Sequence, residues 1–166
     1  MKETEDWEKP AIKIKLDEKD KKVLNYMLEH GRASLTEISK KTGIKIDSVK
    51  RRLKKFEQEG VIAYWKAIVW YKALGYSLAS YVNVKLSHYS NHEYKEFIEY
   101  LTSTRNVTDV VSVSGNYDVL IYILAKNRLD LDKITQEIRQ KFKDIITDWN
   151  SVTVIRSYKF DKFNLE

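Results

Sequence analysis

The chain has 166 residues, no cysteine, one proline, five glycines and two methionines. Without cysteine there are no disulfides, thiolate metal sites or cysteine nucleophiles. So little glycine and proline excludes collagen, and the composition excludes a low-complexity tail or a wholly disordered chain: 43% of residues are hydrophobic and 33% charged, ordinary for a globular protein. No apolar run approaches the 18–20 residues that a spanning helix needs, so no membrane contact is expected. Residues 1–15 are charged and lack the apolar core of a secretory signal, which makes a cytoplasmic protein the expectation. The length fits one domain or two small ones.

What is present is an unevenly placed positive charge. The net charge is +6. Residues 1–39 hold eight basic and nine acidic residues, and residues 67–166 hold thirteen and twelve. Residues 40–66 hold nine basic residues against Asp47, Glu57 and Glu59, so the whole excess sits in one window. A cluster that focused is the electrostatic footprint of a polyanion-binding surface.

The hydrophobic periodicity explains why it sits there. Residues 1–15 read as an arm with a short strand at 11–14. Asp17, followed by acidic Glu18 and Asp20, caps a helix with the stripe Val23, Leu24, Met27 and Leu28, and Gly31 closes it in the left-handed conformation. Ser34 and Glu37 form a capping box for a short second helix with Leu35 and Ile38 inward, ended by Gly43. A third helix, from about Ile46 to Glu59, turns Val49, Leu53 and Phe56 inward. The apolar, β-branched residues 61–69 suit a hairpin. Three short helices and a hairpin make a winged helix-turn-helix, residues 16–66. Its third helix leaves Asp47, Ser48, Lys50, Arg51, Lys54 and Lys55 outward, so the basic cluster falls on the face that enters a major groove. Ser34, Lys45, Arg52 and Lys66 join these as candidate DNA contacts.

Residues 67–76 read as a linker. From 77 to 158 the order is strand, helix, strand, strand, helix, strand. Leu78, Val82, Val84 and Leu86 alternate with Tyr81, Asn83 and Lys85. Tyr94, Phe97, Ile98 and Leu101 stripe a helix. Residues 107–114 and 117–125 form strands around a Gly115–Asn116 turn. Asp130 caps the next helix, stapled by Leu129 and Ile134 and striped by Ile134, Ile138 and Phe142. Residues 149–158 form the last strand, with Val152 and Val154 on one face. The fold class is therefore α+β, a winged helix-turn-helix followed by a ferredoxin-like βαββαβ domain. Tyr81, Val110 and Tyr122 leave the open sheet face too apolar for solvent, which predicts a partner subunit over it. Residues 159–166 read as a tail.

Taken in order, the segments at 16–24, 43–44, 49–62, 74–76 and 114–118 resemble the Lrp/AsnC (feast/famine) transcription regulators of bacteria and archaea. The likeness covers about 16–158. It implies a DNA-binding domain joined to a ligand-sensing dimerisation domain (the RAM domain), homodimers that assemble further, commonly into octamers, and pseudo-palindromic sites on double-stranded DNA. It also implies an amino-acid effector bound between subunits near Ser114, Gly115, Asn116, Tyr117 and Asp118. In that carry-over Gly115 lets the backbone approach the ligand, Tyr117 shapes the pocket and Asp118 pairs with an α-ammonium; without it, Gly115–Asn116 is a hairpin turn and Asp118 a surface acid. No other cofactor is implied. Two departures bear on geometry. Lys45 stands where the family has a small hydroxylic residue, so Asp47 or Ser48 is expected to cap the third helix. Trp70, Tyr71 and Lys72 replace the family's acidic residue and proline, which affects the linker. The competing readings are an effector-independent architectural DNA-wrapping protein and a tetrapyrrole decarboxylase-like enzyme of the same fold. The latter finds little support, because His30, His88 and His92 lie at a helix end or in one loop. A non-catalytic regulator is the expectation.

Overall fold

The computed structural model describes residues 14–159 and 163–165, which fall into two units, each with its own core. One unit comprises the described residues up to Ala67 together with those from Lys159 on; the other runs from Ile68 to Tyr158. Of the expected strand at 11–14, all but Ile14 lies outside the described residues.

In the first unit, α1 (Glu18–Glu29), α2 (Leu35–Thr42) and α3 (Ile46–Gln58) pack around Val23, Leu24, Met27, Ile38, Ile44, Val49 and Phe56. The start of α1 is fixed by a reciprocal capping box between Asp17 and Asp20. Its end departs from expectation. The cap is His30 at φ −128°, and Gly31 is not left-handed. Gly43 does close α2 in the left-handed region, φ 72°, a conformation that costs glycine little. The capping box expected at α2 is half formed: Ser34 accepts from Glu37 N–H, but the Glu37 carboxylate is taken by the Tyr26 hydroxyl at 2.9 Å. Residues 61–69 form no hairpin. They contain no Gly, Asn, Asp or Pro, so the stretch has β-branched strand formers but none of the residues a tight turn demands. It has no regular secondary structure: the Ile62 N–H bonds Phe56 O at 3.0 Å, and Tyr64, Trp65 and Ile68 are exposed.

The second unit opens with a 3₁₀ turn, Tyr71–Leu74, closed by Gly75 at φ 84°. It continues through β1 (Leu78–Leu86), α4 (Asn91–Ser103), β2 (Val107–Ser112), β3 (Val119–Ala125), α5 (Arg128–Lys141) and β4 (Ile146–Thr153). The antiparallel sheet has the order β2-β3-β1-β4. Val82, Val84, Leu86, Val119, Ile121 and Ile123 on one face pack with Phe97 and Leu101 of α4 and Leu131, Ile134 and Ile138 of α5. The ferredoxin-like arrangement thus follows from the sequence order, with several local corrections. The cap of α5 is Asn127, not Asp130, whose N–H is the group being capped; Leu129 is 80% exposed and staples nothing. β4 starts three residues earlier and ends five earlier than expected. Val110 belongs to the helix-covered face, because a register shift between Val107 and Asp109 turns both valines inward. The open face instead carries Tyr81 opposite both Tyr122 and Val152, and Asn83 opposite both Leu120 and Asn150.

Candidate functional site

α3 is positioned by two fully buried anchors, Val49 and Phe56. Seven residues, about two turns, separate them, so one stripe points inward and the rest of the surface outward. Lys45, Asp47, Lys50, Arg51 and Lys54 are exposed, as is Ser34 at the start of α2. Lys66 is exposed on the wing, where its ammonium lies 5.8 Å from the centre of the Tyr64 ring. Trp65 turns its indole N–H back to the Glu57 carboxylate of α3, at 3.2 Å.

Neither Asp47 nor Ser48 caps α3. Its cap position is Lys45, with no side-chain bond. The Ser48 hydroxyl is occupied by the Arg52 guanidinium one turn on. Arg52 also reaches Asp17 at 2.8 Å and Asp20 at 2.9 Å, and its side chain is only 12% exposed. Asp20 is buried, and Lys55 lies 3.9 Å from its second oxygen. Arg52 is therefore withdrawn from the outward cationic face. It ties α3 to the first turn of α1, and Ser48 faces it with one lone pair already used. The Asp20 N–H, and then Arg52, hold the Asp17 carboxyl below its ordinary range. The acidic first turn of α1 and an arginine on α3 were both visible in the sequence; that they meet depends on the packing angle of two helices, which no local pattern encodes.

The second candidate site is the loop between β2 and β3. Val113 N–H bonds Asp118 O at 2.9 Å and Asp118 N–H bonds Val84 O at 3.0 Å, so residues 113–118 form a closed loop wider than a two-residue turn. Ser114, Gly115 and Asn116 are exposed at its tip; Tyr117 and Asp118 are half-buried at its base. Gly115 has φ 131° and nothing within 4 Å of where a Cβ would stand, so the backbone is open to approach from that side. Asp118 accepts from Leu86 N–H at 2.7 Å and from the Lys85 ammonium at 3.2 Å. These donors, the backbone N–H foremost, lower its pKa. The Tyr117 hydroxyl lies 3.4 Å from Asn150 Nδ2. Lys85 and Asn150 meet the candidate residues Asp118 and Tyr117 and were not among the residues expected here. Their signal was that both are polar and fall on the open sheet face together with Asn83.

On that open face, the Tyr81 and Tyr122 rings lie 4.5 Å apart. Burial, then Tyr71 and Tyr81, push the Tyr122 phenol up to about 12. Among the described residues, no group of His, Asp and Glu is arranged to hold a metal ion. Nor is any helix among them long and apolar enough to cross a membrane.

Comparison with known proteins assigns both sites to domains. Residues 16–63 match the family model for a winged helix-turn-helix DNA-binding domain. Residues 79–162 match the Lrp/AsnC ligand binding domain. The HTH-type transcriptional regulator FL11 of Pyrococcus horikoshii is 33% identical over 121 residues, which span 73% of this chain and 78% of the relative. The leucine-responsive regulatory protein of Rhizobium meliloti is 33% identical over 117 residues, spanning 70% and 75%. Among solved structures, a transcriptional regulator from Neisseria meningitidis in complex with L-Met aligns with a TM-score of 0.82 at 19% identity, covering 88% of this chain and 94% of that one. E. coli AsnC aligns with a TM-score of 0.78 at 21% identity, covering 90% and 99%. At these identities the two structures establish the shared fold.

Proposed function

We propose a mechanism from one premise: this chain belongs to the Lrp/AsnC family of DNA-binding transcriptional regulators. It is a transcriptional regulator with a winged helix-turn-helix and a ligand-binding domain. The observation that carries the mechanism is the coincidence of the chain's excess charge with the outward face of α3.

Lys50, Arg51 and Lys54, with Lys45 and the wing's Lys66, neutralise phosphates and release counterions, which makes affinity salt-dependent. Asp47, Ser48, Lys50 and Arg51 lie near the start of α3 and reach base edges. Arg51 against a guanine edge contributes roughly 1–3 kcal/mol of discrimination. Arg52 and Lys55 belong to the support beneath that face. The open sheet face, with Tyr81, Leu120, Tyr122 and Val152, closes against a second copy, and the dimer sets two recognition helices about 34 Å or a multiple apart. Higher homo-oligomers such as octamers build on that dimer.

The 113–118 loop receives an amino-acid effector. Its fixed opposite charges, Asp118 and Lys85, complement a zwitterion, and Gly115 leaves the backbone donors approachable. An effector acts through different affinities for two assembly states, a coupling of roughly 1–3 kcal/mol. The protein is non-catalytic and cytoplasmic; both follow from a task of binding DNA and a small molecule. The deciding experiment is genome-wide DNA capture by the purified protein, with and without a mixture of amino acids. Selective sites whose occupancy changes with the mixture support the mechanism. Uniform capture without selectivity refutes sequence-specific control.

A further inference from the structure

Residues 163–165 follow the last strand of the sensing sheet in sequence, yet they are seated on the DNA-binding unit. Leu165 packs against the core of that unit, beside Leu24 and Met27. Its main chain is held at two points by one side chain. Asn25 Nδ2 donates to Leu165 O at 3.0 Å, and Leu165 N–H donates to Asn25 Oδ1 at 2.7 Å. A primary amide used this way reproduces the donor–acceptor pair of a neighbouring β-strand. The clasp is placed on α1. Phe163 and Leu165 line a groove of about 360 Å³ whose other walls are Leu24 and Met27 of α1 and Ile62 and Trp65 of the wing.

The wing has a reason to need such support. No strand pair forms in residues 61–69 among the described residues, so the ladder bonds that usually stiffen a wing are absent. What it has instead are the Ile62 N–H bond to Phe56 O, the Trp65 bond to Glu57, and the apolar groove wall. We propose that residues 163–165 are a buttress for the DNA-binding unit, clasped by Asn25 and wedged against the wing, so that the wing presents Lys66 to DNA only while the clasp is closed. This use of the buttress rests on the DNA-binding mechanism above, but the clasp itself does not.

The test uses the full chain. Two hydrogen bonds of ordinary net strength correspond to roughly a thirtyfold change in the open population. In Asn25→Ala the Leu165 amide should therefore exchange with solvent roughly thirtyfold faster. The Met27 and Ile62 methyl resonances should shift, while the sheet amides of the second unit keep their protection. DNA affinity should fall severalfold and the slope of log affinity against log salt should drop by up to about 1, because the Lys66 phosphate contact is lost although no charge is removed. Asn25→Asp keeps the acceptor for Leu165 N–H and loses the donor, so it should fall between the two and guards against a folding defect in the alanine variant. A Leu165 amide that exchanges freely in the unaltered protein, or at an unchanged rate in Asn25→Ala, overturns the clasp. An undisturbed Ile62 methyl, or unchanged DNA affinity with the clasp open, overturns the buttress. Failure of the unaltered protein to bind DNA would refute the mechanism above instead, and the exchange and methyl measurements still decide the clasp and its reach to the wing.

Discussion

The two arginines at 51 and 52 are neighbours in sequence and opposite in use. Arg51 stands exposed on α3, whereas Arg52 is enclosed by Ser48, Asp17 and Asp20. The same contrast separates the two candidate sites. Lys50, Arg51 and Lys54 of α3 meet no acid among the described residues, an arrangement suited to a polyanion that brings its own charge. The 113–118 loop pairs Asp118 with Lys85 and Leu86 N–H before anything binds, an arrangement suited to a small ligand carrying both signs. Charge left unpaired faces the partner, and charge paired internally holds the frame.

The comparison can be broken first at the cores. Phe56→Ala in the helical unit and Phe97→Ala under the sheet each remove a fully buried ring, and each should cost about 3–5 kcal/mol. Calorimetry should show two transitions, with each substitution lowering its own. A common drop in both would show that the units do not fold separately.

Arg52→Ala takes from the buried Asp20, whose side chain is 4% exposed, the nearer of its two cations, leaving it Lys55 at 3.9 Å and the Asp17 N–H. Breaking a buried pair from one side costs about 3 kcal/mol, to be read as a loss of chemical-denaturation stability in the helical unit. A loss near zero would place Arg52 among the solvated cations. Arg51→Ala should leave stability within about 0.5 kcal/mol. Discrimination at one base position of the operator should relax by about 1–3 kcal/mol, measured by competition between matched and substituted sites.

The smallest effect concerns pH at the loop. The Asp118 carboxyl is held below its ordinary 3.8, chiefly by Leu86 N–H. A depressed folded pKa contributes stability that is present above the unfolded value and lost as pH falls through the folded one. Asp118→Asn should therefore flatten the acid limb of the sheet unit's stability below about pH 4. Its curve above pH 5 should keep its shape. An unaltered acid limb would separate Asp118 from the paired frame.

Much of this was legible in the chain. The stripe Val49, Leu53 and Phe56 orients α3 by spacing alone, and the order of alternating and helical segments after 77 specifies the sheet domain. The misses share a physical cause. Arg52 was a candidate DNA contact because the acids that hold it, Asp20 and Asp17, lie 32 and 35 residues away. Residues 61–69 have strand propensity but no turn, and propensity without a partner makes no strand. Val110 changed faces through one extra residue in β2, which reverses the side-chain parity that alternation relies on. Asn25 and Leu165, 140 residues apart, carry no local pattern at all.

The most direct test of the division between reading and supporting cations is the salt dependence of operator affinity. Lys50→Ala, Arg51→Ala and Lys54→Ala should each lower the slope of log affinity against log salt by about 1. Arg52→Ala, measured where it remains folded, should leave that slope unchanged. A reduction in Arg52→Ala equal to that in Arg51→Ala would contradict the account.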